Sequence, residues 1–169
     1  MQADCIQERS AVNAADRKVL ARGQMGVYPE HMTQRPYVLD AQIGYVLRRV
    51  TQRHLALFSE AIPEVTTTQF AVLARLAELG PQSQNALGRE TALDAATIKG
   101  VVDRLARQGL VSTFPDPDDR RRLTVDLSDE GRAVFLRLVP TALDVSARTL
   151  GPLSETEQRQ LLDLLMRLA

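Results

Sequence analysis

The stretch DAATIKGVVDRLARQGLVSTFPDPDDRRRLTVDL, residues 94–127, changes its period partway, and that change decides the fold. Its first part is helical: Ile98, Val101, Val102 and Leu105 recur at spacings of three and four and share one face, which predicts that they are core. Asp94 is placed to cap this helix and Gly109 to end it. Leu110-Val111-Ser112-Thr113-Phe114 then reads as a short strand. Leu123, Val125 and Leu127 alternate with Thr124, Asp126 and Ser128 as a second. Between the two, Pro115-Asp116-Pro117-Asp118-Asp119-Arg120-Arg121-Arg122 is a turn-rich, charged hairpin tip. A short helix from about Gln82 to Glu90 and a break at Thr91 to Leu93 precede it. The sum is a helix-turn-helix followed by a two-stranded wing.

Working outward, Thr66-Thr67-Thr68-Gln69 has the form of a capping box and opens a helix carrying Phe70, Val72, Leu73 and Leu76, closed by Gly80-Pro81. Upstream, helix is predicted from Leu39, with Asp40 as cap and Pro63 as stop. Its apolar stripe is Ile43, Val46, Leu47, Val50, His54, Leu57 and Phe58. Downstream, helix runs from Gly131 to Arg148 with a kink expected at Pro140. Ser154-Glu155-Thr156-Glu157 is a second capping box, leading into Leu161, Leu162, Leu164, Leu165 and Leu168. Residues 1–36, with scattered charge and the punctuators Gly23, Gly26, Pro29 and Pro36, read as a flexible arm, and Met25 and Met32 allow a shorter start. The predicted class is mainly α: an arm at 1–36, a long helix within 37–65, a winged helix-turn-helix lobe at 66–132 and two helices within 133–169.

Composition narrows the function. The chain has 169 residues, 44% of them hydrophobic, enough for one sizeable core. Lys plus Arg number 21 and so do Asp plus Glu, so the net charge is zero and an overall polycation is excluded. Nucleic-acid binding must therefore come from local clustering. One cysteine (Cys5) and two histidines (His31 and His54) provide neither a disulfide framework nor a zinc site. No Ser-His-Asp set, metal cluster or phosphate-binding glycine loop marks an enzyme, and no cofactor is expected. With no long apolar run and no signal pattern, a soluble cytoplasmic protein without a membrane partner is expected.

Charge does cluster in the middle. From Lys99 to Arg122 there are six basic residues (Lys99, Arg104, Arg107, Arg120, Arg121, Arg122) against four acidic ones (Asp103, Asp116, Asp118, Asp119). Three adjacent arginines at a hairpin tip repel one another and pack against nothing, so folding does not account for them. A solvated loop with incidental arginines is the alternative. In a winged helix the chemistry is direct: one helix enters the major groove and the basic tip reaches phosphates or a minor groove.

The run Leu105-Ala106-Arg107-Gln108-Gly109-Leu110-Val111, then Asp116-x-x-Asp119-Arg120-Arg121, then Val125-x-Leu127-Ser128-x-x-Gly131, resembles the signature of the multiple-antibiotic-resistance regulator (MarR) family. The resemblance implies a homodimeric, ligand-responsive transcription regulator, usually a repressor, bound to double-stranded DNA. The first helix and the two C-terminal helices would form the dimer interface; a leucine-rich core helix is the competing reading for the last. Ala95, Ala96, Thr97, Lys99 and Gly100 fall on the first turns of the would-be recognition helix, followed by Arg104. Thr97 and the alanines offer a hydroxyl or apolar contact to thymine methyls, and Lys99 reaches guanine or phosphate. Gly100 departs from the longer polar residue common there. Arg121 matches the arginine that enters the minor groove, Asp119 orients it, and Arg120 and Arg122 touch phosphates.

His54 in the first helix is the oddity. On its own, a lone histidine in an apolar stripe reads as a satisfied core residue. The family's effector cleft lies beside that helix, and there an imidazole with a nearby arginine suits a small aromatic carboxylate. Tyr45, Arg49, His54, Phe70 and Leu73 are the candidate effector residues. Tyr37-Val38-Leu39-Asp40-x-Gln42-Ile43-Gly44 and Leu47-Arg48-Arg49-x-x-Gln52-Arg53-His54 resemble the branch that controls catabolism of aromatic acids of hydroxybenzoate and nicotinate type. Two alternatives share the fold: a redox-responsive repressor using Cys5, whose surroundings do little to activate a thiol, and a winged-helix module for protein assembly.

Overall fold

The computed structural model describes residues 37–115 and 123–169. They form a mainly helical chain with one small antiparallel sheet. In order these are α1 (Ile43–Ala61), α2 (Thr67–Leu79), β1 (Gln82–Ser83), α3 (Gln84–Glu90), α4 (Ala95–Arg107), β2 (Val111–Pro115), β3 (Leu123–Leu127), α5 (Asp129–Leu150) and α6 (Glu155–Met166). The expectation for residues 1–36 lies outside the described residues. No described helix is long and apolar enough to cross a membrane.

Local chemistry sets most boundaries. Thr66 Oγ1 accepts from the Gln69 amide and Gln69 Oε1 from the Thr66 amide, closing the predicted capping box. Ser154 and Glu157 do the same for α6. Gly80 and Gly109 end α2 and α4 with φ of 74° and 73°, a region that favours glycine. The predicted break between α3 and α4 is a tight turn in which Ala92 takes φ 53° without being glycine.

Three expectations need correction. Asp40 does not cap α1: a short 3-10 turn covers Leu39–Ala41 and Gln42 holds the cap position. Asp40 instead pairs with Arg49 at 3.6 Å. The segment from Gln82 begins as a two-residue strand, because Gln82 and Ser83 pair with Val125 and Thr124 before Ser83 caps α3. The sheet is therefore three-stranded, in the order β1-β3-β2. Leu168 lies past the end of α6; α5 holds Pro140 within its length, as expected.

The core gathers every layer. Val72, Leu73 and Leu76 of α2, Leu87 of α3, and Ile98, Val101, Val102 and Leu105 of α4 are sealed from solvent, as the spacing predicted for the last four. Val111, Val125 and Leu127 close it from the sheet, and Val134, Leu138 and Val145 from α5. One knot decides how α4, the sheet and α5 meet. Ser128 Oγ donates to the Gly109 carbonyl at 2.6 Å and accepts from the Gly131 amide at 2.9 Å. Gly131 is buried so tightly that a Cβ there would fall onto the Leu110 carbonyl oxygen.

Candidate DNA-binding face and effector site

Because the inner face of α4 is spent on the core, its outer face is free to read a ligand. Asp94 caps the helix, its Oδ1 accepting from the amides of Ala96 (3.0 Å) and Thr97 (2.9 Å). Thr97 Oγ1 donates to Asp94 Oδ2 at 2.7 Å. These hydrogen bonds, led by the Thr97 hydroxyl, hold the Asp94 carboxyl below its ordinary value. The cap is thus charged above the unfolded aspartate range, and its contribution is lost only as pH falls through the lowered folded value. Since the Thr97 proton is committed to Asp94, the hydroxyl has only lone pairs left to offer outward, beside its methyl.

Ala95, Ala96, Thr97 and Lys99 are exposed and Gly100 is half-buried. Lys99 pairs with Asp103 at 2.8 Å. An exposed pair of this kind is worth about 0–1 kcal/mol, little enough for a phosphate to displace it. A Cβ on Gly100 would meet nothing nearer than the Arg104 guanidinium at 3.9 Å, so packing within the chain does not demand a glycine. Arg107 Nε donates to the Asp103 carbonyl at 3.2 Å, which holds its basic group along the same helix. β2 and β3 stay paired to Pro115 and Leu123. Asp119, Arg120, Arg121 and Arg122 lie outside the described residues, as does Cys5.

Four of the five candidate effector residues separate into two groups. At the start of α1, Arg49 lies over the Tyr45 ring at 5.8 Å and pairs with Asp40. Two turns on, His54 Nδ1 lies 3.0 Å from Thr149 Oγ1 on α5, and its ring is 6.3 Å from Phe58. Phe58 meets Phe70 edge-on at 5.8 Å, and Phe70 meets Phe135 at 5.6 Å. His54 and Phe70 thus end up on one aromatic path joining α1, α2 and α5, whereas Tyr45 stands about 14 Å and Arg49 about 8 Å up the helix by its rise per residue. Leu73 is fully buried in the core. A cleft of about 380 Å³ opens elsewhere, bordered by Ala71, Arg75, Glu78, Glu90 and Ala92, and holds none of the five.

Sequence reasoning missed Thr149, Phe58 as a ring partner, and the clamp that α5 makes on α1 and the loop after it. Arg148 Nη2 donates to Glu60 at 3.2 Å, and Arg137 grips Glu64 through both nitrogens at 2.9 and 2.6 Å. That grip lowers the Glu64 pKa. No local signal marks these pairs, since the partners are far apart in the chain.

Residues 65–123 match the sequence pattern of the MarR family. The HTH-type transcriptional repressor NicR of Pseudomonas putida is 39% identical over 135 residues, spanning 79% of this chain and 85% of NicR. The chain belongs to the MarR family. Members of the MarR family are transcription regulators and not enzymes. Two solved MarR-like structures extend the likeness. A probable transcriptional regulator from Pseudomonas aeruginosa is 51% identical with a TM-score of 0.76, covering 78% of this chain and all of that one (100%). A structure addressing how 6-hydroxynicotinic acid regulates DNA binding of Bordetella bronchiseptica BpsR is 38% identical with a TM-score of 0.76, covering 79% and 97%. The likenesses to NicR and BpsR support a place for this MarR protein in the branch concerned with aromatic-acid catabolism.

Proposed function

We propose that the protein is a homodimeric repressor that binds a pseudo-palindromic operator and leaves it when a small aromatic carboxylate binds beside α1. The observation that carries the reading is the division of α4: its inner face is sealed in the core while Ala95, Ala96, Thr97, Lys99 and Arg104 stand in solvent next to the wing. Residues 66–132 are then the DNA-binding lobe, with Gly100 allowing close approach of the helix backbone. Arg121 enters the minor groove, Asp119 orients it, and Arg120 and Arg122 hold phosphates.

The dimer reading is supported by apolar surface that the single chain leaves bare. On α1, Ile43 is 63% exposed and Val50 48%; on α6 and beyond, Met166 and Leu168 are each 75% exposed. A patch of this kind on two helices calls for a partner, and a second copy supplies the two-fold symmetry of a palindrome. Residues 37–65 and 133–169 are then the dimerisation helices, and the dimer works in the cytoplasm.

The effector reading is supported by His54 and its aromatic path to α2, with Phe70 on that path and Tyr45 and Arg49 further up α1. Leu73 backs that path from the core. A ligand wedged against Phe58 and Phe70 would move α2 against α1, and α2 belongs to the lobe that carries α4. His54→Ala is expected to keep operator affinity and to lose release by hydroxylated aromatic acids, 6-hydroxynicotinic acid among them, in a fluorescence-anisotropy titration. Normal release by the variant would remove His54 from the site.

A further inference from the structure

The seam between α1 and the last turn of α5 holds a hydrogen-bond relay that fixes how His54 presents itself. Thr149 Oγ1 donates to the Val145 carbonyl at 2.8 Å, four residues back on the same helix. The same oxygen lies 3.0 Å from His54 Nδ1. A hydroxyl has one proton, and here the back-bond uses it. Toward His54 the oxygen therefore has only lone pairs to offer, so Nδ1 must carry the proton. Among the described residues Nε2 has no hydrogen-bond partner, and His54 as a residue is half-buried rather than sealed.

We infer that Thr149 is a positioning residue: it holds neutral His54 as the Nδ1–H tautomer and leaves Nε2 as a hydrogen-bond acceptor. Free histidine prefers the opposite tautomer, so the relay works against the intrinsic bias. The consequence is selectivity. An Nε2 acceptor recognises a ligand that brings its own donor, a ring hydroxyl or ring N–H, and gives nothing to an unsubstituted aromatic acid. The carboxylate is left to an arginine. This selectivity rests on the effector reading above, whereas the tautomer does not.

The test uses the full chain with imidazole nitrogens labelled, comparing wild type with Thr149→Val and Thr149→Ser. Long-range proton–nitrogen correlation spectra should show neutral wild-type His54 with the proton on Nδ1. Thr149→Ser should retain that pattern, and Thr149→Val, which keeps the shape but loses the acceptor, should move the proton toward Nε2. A wild-type His54 protonated on Nε2, or a tautomer unchanged in Thr149→Val, would overturn the relay. Release from operator by 6-hydroxynicotinic acid is read alongside. The half-maximal concentration is expected to rise at least about tenfold in Thr149→Val and to stay near wild type in Thr149→Ser. If the tautomer shifts but release is unchanged in both Thr149→Val and His54→Ala, the effector reading fails and the relay stands. If His54→Ala loses release while Thr149→Val keeps both tautomer and release, the inference fails and the effector reading stands.

Discussion

Alanine in place of Gly131 should cost the fold about 3 kcal/mol or more, at the upper end of what overpacking does. The reason is the nature of the obstacle. The new methyl would fall on the Leu110 carbonyl, which is backbone at the junction of α4 and β2 and cannot rotate away. Relief would require pulling α5 off the sheet and breaking the Ser128 bonds to Gly109 and Gly131. Against a typical total of about 5–15 kcal/mol, such a loss is severe. The control is the same chemical change at Gly100, where the methyl finds open space and replaces a glycine inside a helix. Gly100→Ala should raise stability by about 0.5–1 kcal/mol while weakening operator binding. Urea denaturation of the two variants checks both signs; equal stabilities would contradict the packing described at the knot.

Arg121→Ala should lower operator affinity by about one to two orders of magnitude, equivalent to about 1–3 kcal/mol, with the protein still folded. An arginine in a narrow minor groove meets concentrated negative potential and few competing waters, so its loss is felt more than that of a phosphate contact. Arg120→Ala and Arg122→Ala are the comparison. Each should weaken binding to all sequences alike and reduce the slope of log affinity against log salt by about one. Anisotropy titrations over a salt series separate the two patterns. Unchanged affinity of Arg121→Ala at physiological salt would remove it from the interface.

The parts of the fold legible in the sequence were those written in short-range chemistry. Both capping boxes, the Asp94 cap and the glycines that end α2 and α4 act within a few residues, and each forms as its local pattern implies. The spacing of Ile98, Val101, Val102 and Leu105 foretold the buried face of α4 because that helix has one core to face. β1 was not legible: two residues have no period, and only their pairing with β3 makes them a strand. Asp40 has the chemistry of a cap but sits in a turn two residues too early. For the candidate site, three residues of the motif serve the fold: Ser128 bonds both the Gly109 carbonyl and the Gly131 amide. The His54 partner could not be read at all. Nothing near Thr149 marks it, and only the packing of α5 on α1 brings the two side chains together.

The most direct test of the account is to sequence genomic fragments retained by the purified protein at physiological salt, with and without hydroxylated aromatic acids. A two-fold regulator with α4 in the major groove predicts a shared inverted repeat, its half-sites about 10–10.5 bp apart or a multiple of that, and loss of those fragments when the right acid is added. Fragments retained without a common motif, or held equally whatever acid is present, would contradict it.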